Sequence, residues 1–205
     1  AVTTCISSQT LTLNQCLSGF STSVAWLIVM AFFMALGFKS TGLGKRVAYF
    51  FVSKLGRSPL GLAYGFVTTE FILAPFIPSN TARGAGILFP IVATLSHQNG
   101  SDPKKGTRKK VGAYLMQVCF HLNLITSAMF LTGLVGNPLI VDMAATVGVT
   151  ITWGSWALAA IVPGAINLIA LPWVMYKIYP PTSKDSRTAQ QEAQQQLTAL
   201  GKLTQ

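Results

Sequence analysis

Residues 74–83 read Ala-Pro-Phe-Ile-Pro-Ser-Asn-Thr-Ala-Arg and run on into GAGILFPIV at 84–92; their reading decides the fold. They sit inside an apolar segment, 58–96, with basic clusters on both sides. Lys39, Lys45, Arg46, Lys54 and Arg57 precede it, and Lys104, Lys105, Arg108, Lys109 and Lys110 follow it. Lys and Arg concentrate on the cytoplasmic side of membrane spans, so this segment must enter and return on one face. Two full crossings at roughly 20 residues each would use up the whole segment. They would leave no room for the prolines, turn formers and charge at its centre. The pattern predicts a re-entrant helical hairpin over 58–96 with Ser79, Asn80 and Thr81 at its tip. Non-helical backbone at membrane depth is tolerated only where protein or a water-filled cavity covers it.

Composition supports a membrane setting for that hairpin. Of 205 residues, 51% are hydrophobic and 10% charged, and the mean hydropathy is +0.51. Soluble domains carry about 25% charged residues. The balance of 15 Lys+Arg against 5 Asp+Glu gives a net charge of +10, but the cations lie in short clusters between apolar runs. That segregation orients a membrane protein and does not point to nucleic acid. Excluded are a disulfide-stapled secreted module, a disordered tail and a cytosolic enzyme. No carboxylate pair, phosphate loop, zinc spacing or nucleophile elbow suggests catalysis. Cys5, Cys16 and Cys119 are odd in number, lack CxxC spacing, and read as small apolar residues.

Working outward, 1–16 is a polar segment expected outside the cytoplasm and 17–38 is a transmembrane helix. Residues 39–57 read as an interfacial amphipathic helix, with Val47, Phe50 and Phe51 on one face by helical spacing. After the hairpin, 97–110 is a basic cytoplasmic loop. The stretch 111–148 is too long for one straight crossing and is interrupted at Gly136-Asn137-Pro138, predicting a broken transmembrane helix. Residues 151–179 form a last span, framed by Trp153 and Trp156 at one end and Trp173, Tyr176, Lys177 and Tyr179 at the other. The tail 180–205 is expected to be a loose cytoplasmic linker helix. The expected fold is therefore an all-α integral membrane protein, crossing the bilayer several times.

Two interrupted elements, a hairpin tip and a broken span, are the sign of a substrate or ion site near the midplane. Freed amides attract carboxylates, and carbonyls with hydroxyls ligate sodium. Ser79, Asn80 and Thr81 suit both tasks. Arg83 is the one cation between Phe71 and Ser96, and a charge at that depth needs a partner. A substrate carboxylate and Glu70 are both open to it. Weaker candidates are His121 and Asn123 with Thr126 and Ser127, then Asp142 after the break, and His97 in the basic loop.

The SNT stretch, Trp26-Leu27-Ile28, the GLGKRVAY at 42–49, the ITSAMFLT at 125–132 and Gly136-Asn137-Pro138 together resemble the divalent anion:sodium symporter family. The resemblance covers nearly all of 17–180. It is narrowest to the bacterial 2-oxoglutarate/malate and citrate or tartrate exchange branch. It implies one of two inverted repeats of a secondary transporter in a bacterial inner membrane, completed by a C-terminal repeat and by pairing as a homodimer. It implies a di- or tricarboxylate substrate bound by Ser79, Asn80, Thr81, Asn137 and Pro138, with Arg83 as fixed positive charge. It also implies a possible sodium site at Ser79, Asn80 and Gly136. Pro75 stands where sodium-coupled relatives often carry serine, which favours exchange. The alternatives are a non-transporting remnant and a proton or arsenite antiporter with Glu70 as its essential carboxylate.

Overall fold

The computed structural model describes Ser7 and residues 12–201, so Cys5, Lys202 and most of the polar 1–16 segment lie outside the described residues. All regular structure among the described residues is helical. α1 (Leu13–Leu17) leads through a 3-10 turn into α2 (Ser23–Ser40), and the two pass as one apolar unit bent by 52°. α3 (Leu43–Leu55) and α4 (Pro59–Leu73) follow. α5 (Asn80–Arg83) continues through a π-helical turn (Gly84–Leu88) into α6 (Phe89–Gln98). Then come α7 (Gly112–Met129), a 3-10 turn (Leu131–Gly133), α8 (Gly136–Thr146), α9 (Trp153–Ile178) and α10 (Arg187–Ala199). Among the described residues α9 alone is by itself long and apolar enough to cross a membrane.

Local chemistry sets these boundaries. Ser58 caps α4 by accepting from the Gly61 amide at 3.1 Å, and Pro59 follows, where the missing amide hydrogen is harmless. Thr152 and Ser155 form a capping box at the start of α9. Pro172 interrupts the α9 ladder. The Tyr64 hydroxyl donates to Ile169 O at 2.8 Å and the Tyr114 hydroxyl to Pro172 O at 3.0 Å, tying α4 and α7 to that site. The core is the seam between α4, α6 and α7, built on Leu62, Phe66, Leu88, Ile91, Leu95, Leu115 and Leu122.

The face that α3 turns inward is Gly44, Ala48, Val52 and Ser53, and Phe50 is 46% exposed, on the outward side where an interfacial helix carries its apolar residues. Small residues let α3 lie close to its neighbours: a Cβ on Gly65 would sit 3.3 Å from Val52 Cα. One feature differs from expectation: the tail is helical as expected but docked instead of loose. α10 packs on α3 with Ala189 and Ala193 fully buried. Gln190 Nε2 donates to Ser53 O at 2.7 Å, the Ser186 amide to Arg57 O at 3.2 Å, and the Arg46 guanidinium to the carbonyls of Leu200 and Gly201. Burial pushes the Tyr49 phenol above its ordinary pKa, and the Glu192 carboxylate across this interface adds to the rise. The buried contribution of α10 is two alanines among glutamines, a pattern without the apolar stripe that announces docking. Replacing Ala193 by Glu would place an unpaired charge in that seam and release α10. Trypsin is expected to cut after Lys184 and Arg187 at least tenfold faster in Ala193→Glu than in the parent, read by timed digestion.

Candidate functional site

The hairpin turns at 74–79, and Ser79 begins the returning arm. Ser79 is extended (φ −131, ψ 110), and its hydroxyl accepts from the Ala82 amide at 3.2 Å, so it caps the helix that Asn80 opens. Asn80 Oδ1 accepts from the Thr81 amide at 2.8 Å, which leaves the Asn80 NH₂ group as its available donor. The Thr132 hydroxyl donates to Pro75 O at 2.8 Å, joining the turn to the interruption that follows α7.

That interruption lies at 130–135, ahead of the Gly136-Asn137-Pro138 signal. Phe130 leaves the helix in an extended conformation (φ −111, ψ 131). Pro138 instead occupies the first turn of α8, where no intrahelical donor is required of it. Asn137 is 5% exposed and reaches back across the break, with Nδ2 donating to Ser127 O at 2.8 Å and Phe130 O at 2.9 Å. It supplies the donors that the unwound backbone lacks.

Arg83 stands between the two interruptions and is fully buried. Its Nε donates to Glu70 Oε1 at 2.8 Å, one terminal nitrogen to Ile77 O and to Gly133 O at 2.9 Å, and the other to Ser127 Oγ at 2.8 Å. Ile77 belongs to the hairpin turn and Gly133 to the break, so one guanidinium fastens both. Glu70, also fully buried, receives Asn123 Nδ2 at 2.7 Å and the Thr126 hydroxyl at 3.2 Å on the same Oε1, while Oε2 has no partner. Of the two partners open to Arg83, the geometry selects Glu70. Four of its five N–H groups are engaged inside the protein and its charge is matched by Glu70.

A cavity of about 600 Å³ lies between the hairpin tip and α7. Asn80, Thr81, Gly84, Ala85 and Phe89 line one wall, and Met116, Gln117, Cys119, Phe120, Asn123 and Leu124 the other. Gly84 permits the close approach of the walls, since a Cβ there would sit 3.4 Å from the Asn123 amide. The cavity is mostly apolar with four polar side chains, Asn80, Thr81, Gln117 and Asn123, the usual make-up of a small-molecule site. Of the sequence candidates, Asn80 and Thr81 face this space and Ser79 backs them. Asn137 and Pro138 are buried behind, and Gly136 opens α8. His121 Nδ1 lies 2.8 Å from Gln117 O and its ring packs edge-on against Phe120; Asp142 and His97 are exposed. Gln117 and Phe120 are additions from the structure. The signal for them was a stripe at 117, 120 and 124, spaced i, i+3, i+7, with one amide in an otherwise apolar row.

Comparison with known proteins agrees with this architecture. The family model described as the sodium:sulfate symporter transmembrane region matches residues 1–205. YflS of Bacillus subtilis (strain 168), provisionally named a malate transporter, is 51% identical over 193 residues, covering 94% of this chain and 40% of that protein. Dicarboxylate transporter 1, chloroplastic, of Arabidopsis thaliana is 46% identical over 198 residues, covering 96% of this chain and 36% of that protein. The L-tartrate/succinate antiporter of Escherichia coli (strain UTI89 / UPEC) is 38% identical over 192 residues, covering 93% of this chain and 39% of that protein. The chain thus spans about two fifths of the length of these relatives. With the match running from the first residue to the last, the chain belongs to the sodium:sulfate symporter transmembrane region family.

Proposed function

We propose that this chain is one repeat of a secondary active transporter that moves di- and tricarboxylates of the malate, 2-oxoglutarate, citrate, tartrate and succinate class. The observation that carries this reading is the cavity of about 600 Å³ bounded by Asn80 and Thr81 at the hairpin tip. Its free amides can donate to a carboxylate, and it has the size of a small organic anion. Relatives named for malate, dicarboxylate and tartrate/succinate transport fit the same class. In the complete protein, a second inverted repeat faces this one in a bacterial inner membrane, two copies pair, and hairpin and broken span move together in alternating access. The hairpin is re-entrant in this reading, its tip meeting the tip of the other repeat near the bilayer midplane.

Exchange is favoured over sodium symport. A sodium site at Ser79, Asn80 and Gly136 would draw on the hydroxyl, the amide oxygen and carbonyls freed by the break. Here the Ser79 hydroxyl accepts from Ala82, Asn80 Oδ1 accepts from Thr81, and the carbonyls of Ile77 and Gly133 are held by Arg83. Each of these bonds takes up only one lone pair, so the exchange reading rests on Pro75, which stands where sodium-coupled relatives often carry serine, and no step is routed through a sodium ion. Proteoliposomes loaded with unlabelled malate are expected to take up labelled malate equally well in sodium and in choline medium. Uptake that requires sodium on the outside overturns the exchange reading, and absence of any carboxylate uptake overturns the transporter reading.

A further inference from the structure

Most of the positive charge of this chain serves neither the cavity nor the Glu70–Arg83 pair. The connection between α6 and α7 carries five cations from Lys104 to Lys110, all of them exposed. It is a folded turn. Ser101 is 2% exposed, and its hydroxyl donates between the carbonyls of Thr107 and Arg108, at 3.1 Å from each. The Thr107 amide closes the turn on Asp102 O at 3.0 Å. The Asp102 carboxylate accepts from the Lys104 amide at 2.9 Å, and among the described residues no ion pair reaches any of the five cations.

Two segments remote in sequence are bonded onto this turn. The Thr182 amide donates to Lys109 O at 3.0 Å and the Ser183 amide to Lys110 O at 3.2 Å, and three residues on the Ser186 amide donates to Arg57 O at 3.2 Å. Arg57, Lys184 and Arg187, also exposed, are thereby held beside the loop. Arg187 has a carboxylate partner, Asp185 at 3.6 Å, with both side chains largely in solvent, where such a pair contributes little. Like charges gathered this closely repel, and an anionic surface relieves the repulsion. The depth of the patch follows from the end of α9. Trp173 and Tyr179 are 56% and 44% exposed, and Lys177 Nζ stands 5.4 Å over the Trp173 ring. Exposed aromatics with a snorkelling lysine mark the edge of a bilayer. Thr182 pairs with the loop only three residues after Tyr179, so the cations stand at headgroup level.

We propose that the 104–110 loop, the end of α3 at Arg57 and the tail at Lys184 and Arg187 form one binding surface for acidic phospholipid headgroups. Cations that only orient a membrane chain need to lie on the right side, and no fold has to gather them. Here three segments are bonded together by backbone hydrogen bonds, and the product is a surface with a net positive charge beside a lipid-facing helix end. The surface is separate from the cavity, and the inference does not depend on which substrate the cavity takes.

The test uses the complete transporter, purified in neutral detergent micelles doped with labelled lipid. It is expected to retain phosphatidylglycerol about tenfold better than phosphatidylcholine, with the difference shrinking as salt is raised. Equal retention of the two lipids overturns the proposal. The triple variant Arg57→Gln, Lys184→Gln and Arg187→Gln leaves the loop untouched and is expected to lower phosphatidylglycerol retention at least tenfold. Unchanged retention in that variant would mean that the loop binds by itself, and overturns the three-segment surface. Each of the three substitutions taken singly is expected to cost about fivefold, which decides the matter should the triple variant not fold. Glycerol 3-phosphate, a headgroup phosphate without acyl chains, is expected to displace none of the labelled lipid. Displacement at millimolar concentration would assign a site for soluble phosphates and overturns the lipid reading.

Discussion

Replacing Arg83 by leucine is expected to destabilise the fold by about 3–5 kcal/mol, the usual effect of leaving one charge of a buried pair without its partner. Glu70 is fully buried and would lose its salt-bridge partner, keeping the uncharged donors Asn123 and Thr126. The carbonyls of Ile77 and Gly133 would lose a donor at the same stroke. Lysine does not rescue this site. Its ammonium is one compact centre, whereas Arg83 spreads its donors over Glu70, Ile77, Gly133 and Ser127. Removing both charges, as in Glu70→Met with Arg83→Met, is expected to recover more than 2 kcal/mol relative to Arg83→Met alone, because no lone charge remains. Denaturant titration of the purified variants in mixed micelles checks the order. If Arg83→Leu unfolds like the parent and loses only carboxylate affinity, the residue belongs to the binding site after all.

The long last helix was legible because it follows from rules about bilayers, apolar length and interfacial aromatics. The SNT tip was legible for the same reason, as polar residues in a segment that had to return. Three things were not. The break after α7 fell at Phe130–Val135, ahead of the Gly136-Asn137-Pro138 signal, because proline is harmless in the first turn of a helix and Pro138 begins α8 instead of ending α7. The partner of Arg83 could not be chosen from sequence, since Glu70 is 13 residues away and only the folded hairpin brings the two to 2.8 Å. The docking of α10 was invisible because alanines bury well without looking hydrophobic in pattern. Asn80 and Thr81, which line the cavity, stood out from local sequence, while the α7 wall needed tertiary structure.

Asn137→Leu is the second change expected to have a large effect, about 2–4 kcal/mol, and it acts through backbone rather than charge. Where α7 unwinds, the carbonyls of Ser127 and Phe130 have no helical partner on their C-terminal side, and water is not available to a residue that is 5% exposed. A single NH₂ group answers both, at 2.8 and 2.9 Å. Leucine has the same number of side-chain heavy atoms but no donor, so two carbonyls would be left buried and unpaired at about 1–3 kcal/mol each, partly relieved by local movement. Aspartate is nearly isosteric and should be worse than leucine, because it turns acceptor oxygens toward two carbonyls. The expected stability order is therefore Asn137, then Leu, then Asp, read by the same micelle titration. An Asp variant as stable as the parent, with loss in Leu alone, would speak for packing and remove the Asn137 donors from the break. Since Ser127 also receives Arg83, loosening its carbonyl through Asn137 should weaken the Arg83 fastening too. The double variant Asn137→Leu with Arg83→Leu should then lose less than the two single losses added together.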